Sequence, residues 1–571
     1  MADDTYVFET YQSLGITQVT DDGTGSDWIV ITGSYVDTAG SPGVRVDLDY
    51  GSVWDNPVLP TNALIVTQSW NDSATAIIYH TLQIFGTIEN VLGSALSDRL
   101  DGSNGANVLQ GDPMDASGGA DSLYGWGGAD TILGAGGSDY IQAGNDNDLM
   151  FGDGDPNAQD QGNYAAGDDV LYGGDSNDTI YGGYGSNFIS GDAGYDTADY
   201  SGFFDDFGGY SYAITCDLET NTITVTERDL RDGTEIVVAR DTVTGIEVVI
   251  GTDMNDTIYG QVNFGTGEFT NNTLHGRGGN DTLRGGPGAD ALFGGDGDDT
   301  MSDNGNTLPS PGSVDLLNGG LGNDNYDLGA STSRIIEQAG GGHDRVTVMY
   351  SYVLPAEVED LSLSPLSPWA VNGTGNASDN RLEGNTYANA LNGLGGNDVT
   401  IGLGANDTLR GGNGADRLYG GTENDLLLGG AQADALYGDM GSDALYGGFG
   451  NDRFYGGAQA DFLQGGLGRD VLRGGAAGDT FYFASAAEAS ANGQRDLIAD
   501  FASGLDQIDL HRIALNQTFI GAATFNAIGS AEVRYDQFTG TLSGDIDGNG
   551  SADYQINLGA CTALAPGDLI L

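Results

Sequence analysis

The chain has 571 residues, 97 of them glycine, and a net charge of −65 from 83 acidic and 18 basic side chains, every one of the latter arginine. Glycine at this level without a period of three excludes a collagen-like triple helix, and the charge repels nucleic acid and anionic membranes while suiting cations. With 39% hydrophobic residues a core can be built, but no apolar run approaches the length needed to span a bilayer, and Cys216 and Cys561 alone make no disulfide framework.

Residues 1–92 alternate apolar and polar positions as β-strands do. Their start, MADDTYVFET, is acidic and lacks the apolar core of a cleaved signal peptide. From 93 to 199 an acid recurs every nine residues: Asp121, Asp130, Asp139 and Asp148, then Asp169, Asp178, Asn187 and Asp196, with Asp98 and Asn107 as isolated units. The interval of 21 from Asp148 to Asp169 reads as two repeats plus three residues that bulge out as a loop.

A β-rich insert follows at 200–250, including YSYAITCDLETNTITV. A second array at 251–329 carries Asp256 at its edge, then Asn272, Asp281, Asp290, Asp299, Asp315 and Asp324. A further β-rich insert occupies 330–372. The three β-rich segments end alike, in GTIENVLGS, TGIEVVIGT and AEVEDLSLS, which suggests a larger repeat in which a β segment leads into a fresh array.

The long array, 373–483, runs without a slip through Asn380, Asn389, Asp398, Asp407, Asp416, Asp425, Asp434, Asp443, Asp452, Asp461, Asp470 and Asp479. Two residues after each acid stands an apolar side chain, such as Leu409, Leu418, Leu427 or Phe454, with Thr400 as the exception. The pattern stops after Asp479, and 484–571 form a C-terminal region.

A unit of six turn residues and three strand residues predicts a short strand and a sharp bend, with glycine supplying the positive φ angles of the bend. Two units complete a coil, so equivalent positions stack every 18 residues. Asp398, Asp416 and Asp434 then line one edge, and Asp407, Asp425 and Asp443 the other. Stacked carboxylates repel, and glycine turns leave carbonyls unpaired. A hard cation taking six to eight oxygens answers both needs, as calcium does. Zinc would want clustered His or Cys, and four isolated histidines and two cysteines do not supply them.

GGNGADRLY, GGFGNDRFY and GGLGRDVLR resemble the calcium-binding nonapeptide of RTX proteins. The resemblance implies an all-β fold of parallel β-roll arrays separated by β-rich segments and closed by a C-terminal cap. It implies multiple Ca2+ ions held between adjacent turns, the sixth-position acid giving a side-chain oxygen and the glycine turn its carbonyls. Glu423, Gln432 and Gln459 replace the fourth-position glycine, which implies distorted turns or weaker binding there. Asn272, Asn380 and Asn389 open arrays, and an amide without charge implies weak binding at array ends.

DTFYFASAAEASANGQRDLIADFASGLDQIDL resembles the segment after the repeats in serralysin-type proteases. The final GDLIL is similar to the uncleaved C-terminal signal of type I export substrates. DIDGNGSAD (545–553) begins like an EF-hand loop but has Ile556 where the closing Glu belongs, so a calcium loop and a plain turn both remain open. No H-E-x-x-H surrounds His80, His275, His343 or His511, and no G-x-S-x-G occurs, so no catalytic activity is expected. The absence of lysine counts against the acylated pore-forming toxins.

The expected protein is secreted, extracellular or on the cell surface. It would fold on extracellular calcium and act as a structural or adhesive component such as a surface layer, filament, adhesin or biofilm protein. Its expected partners are calcium, the type I export machinery, and a second copy or a cell-surface glycan at the stacked Tyr419, Tyr437 and Tyr455. The alternative is an exported hydrolase, or an orphan serralysin-like C-terminal part.

Overall fold

The computed structural model describes residues 97–571 except 113–117, 154–166, 204–209, 262–269, 304–313, 330–331, 368, 370, 490–494, 514–516, 527–528, 560 and 562. It also describes 90–93 and, before them, the backbone of six strands between Thr5 and Phe85. The chain divides into two compact units, residues 1–321 with 332–334, and 322–331 with 335–571. Among the described residues the only helical element is one 3-10 turn, Pro566–Asp568, and no helix is long and apolar enough to cross a membrane.

In the second unit each nonapeptide of the long array gives one strand, such as Thr408–Asn413, Arg417–Thr422 and Leu426–Ala431. Each strand pairs, in parallel, with the strand after next. Leu409 stands beside Leu427 and Leu427 beside Leu445 in one sheet; Leu418 stands beside Leu436 and Leu436 beside Phe454 in the other. Two nonapeptides therefore make one coil of a parallel β-roll.

Along each strand the side chains alternate, so Leu418 and Gly420 face inward while Arg417 and Tyr419 face out. The core is consequently a single file per sheet, and Leu409, Leu418, Leu427, Leu436, Leu445, Phe454, Leu463, Leu472 and Phe481 are all fully buried. Thr400 takes the same inward place and is fully buried too, its hydroxyl without a hydrogen-bond partner.

The segment at 330–372 continues this coil. Asn325–Leu328, Arg345–Val348, Asp360–Leu363 and Arg381–Glu383 pair successively in parallel, with Tyr326 beside Val346, Val346 beside Leu361 and Leu361 beside Leu382. The segment at 200–250 is different. Tyr210–Asp217, Thr222–Asp229 and Glu235–Thr244 form an antiparallel meander within one sheet. Its last strand joins the coil before it, Phe188 beside Thr242, and its first strand the coil after it, Thr215 beside Thr257. In the facing sheet Thr197–Asp199 passes directly to Val248–Ile250.

The N-terminal segment has the same connectivity. Val44–Asp47, Leu64–Trp70 and Ile77–Phe85 form a meander whose last strand pairs with Thr17–Thr20 and whose first pairs with Arg99–Asp101. The larger repeat read from the sequence thus holds for two of the three β-rich segments, and the third is a plain coil. The C-terminal region adds one more meander, Glu532–Asp536, Thr541–Asp545 and Tyr554–Asn557, whose last strand again joins the coil before it, Leu497 beside Asn557.

The interval from Asp148 to Asp169 needs correcting. Asp139 lies one coil below Asp169 and Asp148 one coil below Asp178, each 30 residues apart instead of 18. The step is therefore one repeat with a twelve-residue insertion, because sheet register, and not spacing, fixes which acids are neighbours.

Candidate metal centres

The turn of a single unit explains its glycines. Gly411, Gly412 and Gly414 precede Asp416. A β-carbon on Gly411 would collide with Asp416 Oδ2 and lie 2.7 Å from the carbonyl oxygen of Gly429 in the next coil. Gly412 and Gly414 have φ of 115° and 136°, the left-handed region where a side chain is strained. In the turns of Glu423, Gln432 and Gln459 the fourth residue stays at positive φ, at 72°, 79° and 77°. These turns differ from the glycine turns by a rotation of φ and carry the strain of a non-glycine residue there.

In the long array of the second unit the acids form two continuous ladders. Asp416 accepts the amide of Asp398 on Oδ1 at 2.8 Å, and its own amide donates to Asp434 Oδ1 at 2.8 Å. Along the other edge, Asp407, Asp425 and Asp443 are linked in the same way at 2.7 and 2.8 Å. In the first unit Asp121, Asp130, Asp281 and Asp290 each accept an amide from the coil below. Every predicted acid is at most 4% exposed.

In most of these rungs one carboxylate oxygen is thus committed, and the other is not. Oδ2 is buried without a donor in Asp121, Asp130, Asp139, Asp148, Asp169, Asp178, Asp196, Asp281 and Asp290, and in every sixth-position aspartate from Asp398 to Asp479 of the long array. Beside it stand the glycine carbonyls of the next coil, as Gly429 does for Asp416. A buried carboxylate oxygen facing carbonyl oxygens is a donor set for a hard cation, and these residues fit calcium.

The electrostatics agree. Burial, opposed by the amide hydrogen bond and reinforced by like charge one coil away, pushes the carboxyls of Asp398, Asp425 and Asp452 up to about 7 and that of Asp434 to about 8. Asp256 and Asp315 differ, because Oδ2 of the former accepts the Thr252 amide and that of the latter the Ser333 hydroxyl.

At array ends the amide supplies its own substitute for a cation. Asn389 Nδ2 donates to the Val371 carbonyl at 2.7 Å, and Asn380 Nδ2 to that of Glu359 at 3.3 Å. These rungs satisfy carbonyls that would otherwise want a positive charge.

Several rungs were not legible from nonapeptide spacing. Asp470 donates its amide to Asp496 Oδ1 and Asp479 to Asp506 Oδ1, so the ladders run one coil past the point where the pattern stops. Asp241 receives the amide of Asn187, Glu247 that of Asp196, and Glu359 that of Asp344. Glu247 lies in TGIEVVIGT and Glu359 at the matching place in AEVEDLSLS, so the recurring segment ends did carry the signal. Asp112 and Asp153, at the insertions, are buried acids pushed up to about 7 and 8 mainly by burial.

Other candidates resolve simply. In DIDGNGSAD, Asp545 accepts amides from Gly548, Asn549 and Gly550, and Asp553 accepts that of Ile546, as in a turn, while Asp545, Asp547 and Asp553 also bring one carboxylate oxygen each within 4.8 Å of the others, as a calcium loop would. Cys216 and Cys561 are buried free thiols. His275 stacks flat on Phe293, His343 faces Asp360 at 3.1 Å and His511 faces Asp509 at 2.6 Å, while the side chain of His80 lies outside the described residues.

Comparison with known families agrees with the geometry. The model of the RTX calcium-binding nonapeptide repeat (4 copies) matches residues 92–113, 112–141, 131–157, 165–198 and 266–301. The model of the peptidase M10 serralysin C terminal matches residues 370–571, which takes in the long array as well as the region after it. No curated protein matches the chain.

Proposed function

We propose that this chain, an RTX calcium-binding repeat protein with a serralysin-type C-terminal region, serves as a structural or adhesive component of the cell surface or matrix once calcium has folded it outside the cell. Its repeats bind multiple calcium ions, and the two regions together mark a secreted type I export substrate.

The folding half of the reading follows from the ladders. At low calcium the buried carboxylates are uncompensated and the charge of −65 expands the chain, a form suited to threading. If about one ion sits at each well-formed turn, roughly 20 ions bring some +40 charges and remove most of the repulsion. Calcium then stabilises the coil by mass action.

The observation that carries the structural role is the outer face of the long array. Tyr419, Tyr437 and Tyr455 stack with ring centroids 4.8 Å apart and planes within 8° and 1° of parallel. Met440, at the end of the strand that carries Tyr437, is 62% exposed. A repeating aromatic and apolar face of this kind supports self-association or binding to the faces of sugar rings.

Electron microscopy with light scattering in millimolar calcium tests the role. Polymers are the expected result, and replacing all three tyrosines by Ala weakens them. Soluble monomers at every calcium level, or polymers indifferent to the triple substitution, count against it. The second reading, an exported hydrolase, draws on the peptidase named in the C-terminal family description. Protease and glycosidase screens on the calcium-loaded chain decide between them.

A further inference from the structure

In the second unit a third carboxylate, which the nonapeptide does not supply, joins two neighbouring ladder aspartates. Asp324, Glu337 and Asp344 each place an oxygen within 4.8 Å of the others. Two ligands of one calcium ion, each at about 2.3–2.6 Å, can be separated by that much. Asp324 and Asp344 are both 1% exposed. They are neighbours one coil apart, the Asp324 amide donating to Asp344 Oδ1 at 2.9 Å.

Asp344 supplies the independent sign of a ligand. Its Oδ1 is taken by that amide, but its Oδ2 is buried with no donor. Glu337 belongs to no nonapeptide: it lies in RIIEQAGGGHD, and reaches the cluster from the chain that closes this coil. The hydroxyl of Tyr326, itself 1% exposed, donates to Glu337 Oε1 and so fixes the orientation of the carboxylate.

We propose that Glu337 joins the ladder acids Asp324 and Asp344 as an added ligand, making this rung a calcium site that fills at lower concentration than the ordinary nonapeptide turns. An ordinary rung offers one carboxylate oxygen and backbone carbonyls. Here three carboxylates converge, and calcium affinity rises with the number of charged ligands and the rigidity of the site. The ion links Asp324, Glu337 and Asp344 across one coil of 20 residues, and so orders the segment that the adjacent ladder builds on.

Hydrogen exchange on the full chain during a calcium titration tests this. Amides of 325–328 and 345–348 report the site, and those of 408–467 report the long array. In the unsubstituted protein the first group is expected to become protected at about tenfold lower calcium than the second. Glu337→Gln, which keeps the shape and removes the charge, is expected to raise the first midpoint about tenfold or more and leave the second unchanged. Tyr326→Phe removes the hydroxyl bond and keeps the carboxylate, so its first midpoint is expected to move less than threefold. Simultaneous protection of both groups in the unsubstituted chain overturns the proposal. So does a Glu337→Gln midpoint that does not move, or a Tyr326→Phe shift as large as that of Glu337→Gln, which would make Glu337 a partner of Tyr326 alone.

Discussion

A single ladder aspartate carries two opposed demands. Its Oδ1 holds the coil together through the amide of the acid one coil away, as Asp416 does for Asp398, while its Oδ2 is buried without a donor. The carboxyl group is therefore raised in the folded coil, to about 7 in Asp398 and about 8 in Asp434, against about 3.9 in an unfolded chain. Between these values the folded state binds more protons than the unfolded one, so cation-free stability falls as pH rises through the window. In chelator the far-UV β signal should be larger at pH 5.5 than at pH 8. Because calcium needs the ionised form, its folding midpoint should move to higher calcium as pH falls from 8 to 6. Equal spectra in chelator at the two pH values would contradict the first expectation.

Thr400 gives a second residue-scale test. It occupies a leucine place with a buried, unbonded hydroxyl. Thr400→Val removes the polar atom at nearly constant volume and should stabilise the calcium-loaded protein by about 1 kcal/mol, read as a rise in denaturant midpoint at constant slope.

For the turn, the decisive quantity is backbone space. Gly414 has φ of 136°, and a β-carbon there would collide with the carbonyl oxygen of Gly396 in the adjacent coil. Gly414→Ala should cost about 1–3 kcal/mol from the backbone alone and raise the calcium midpoint although no acid is touched. Gln459, at φ of 77°, already carries a left-handed strain, and Gln459→Gly should gain about 0.5–1 kcal/mol. Thermal melts of the two variants at fixed calcium should move in opposite directions. The strands themselves were legible from the spacing, since Leu418 and Leu436 stack as period 18 requires. The meanders were legible as β-rich but not in their pairing. Alternation in YSYAITCDLETNTITV marks strands without saying that Tyr210–Asp217 pairs antiparallel with Thr222–Asp229 and in parallel with Thr257–Tyr259.

For the whole molecule, charge and calcium act by different routes. The net charge of −65 is a long-range term that any salt screens, whereas the Oδ2 positions are short-range sites that need a cation with an oxygen shell. In chelator, raising sodium chloride to about 1 M should shrink the hydrodynamic radius without restoring the β signal, because screening alone leaves the buried oxygens bare. Millimolar calcium should do both. Full β structure in sodium chloride alone would mean that repulsion, and not ligation, governs folding.

The sequence by itself determined the unit, its period, the inward leucine and the acid at the bend, because each is a local consequence of turn geometry and side-chain alternation repeated at fixed spacing. The tertiary structure alone decided which acids become neighbours. Asp496 lies 26 residues from Asp470, Glu247 lies 51 from Asp196, and Glu337 meets Asp324 and Asp344 outside any repeat. Parallel register sets those meetings, and it tolerates insertions at the bends that erase the period from the sequence while keeping the rungs in line.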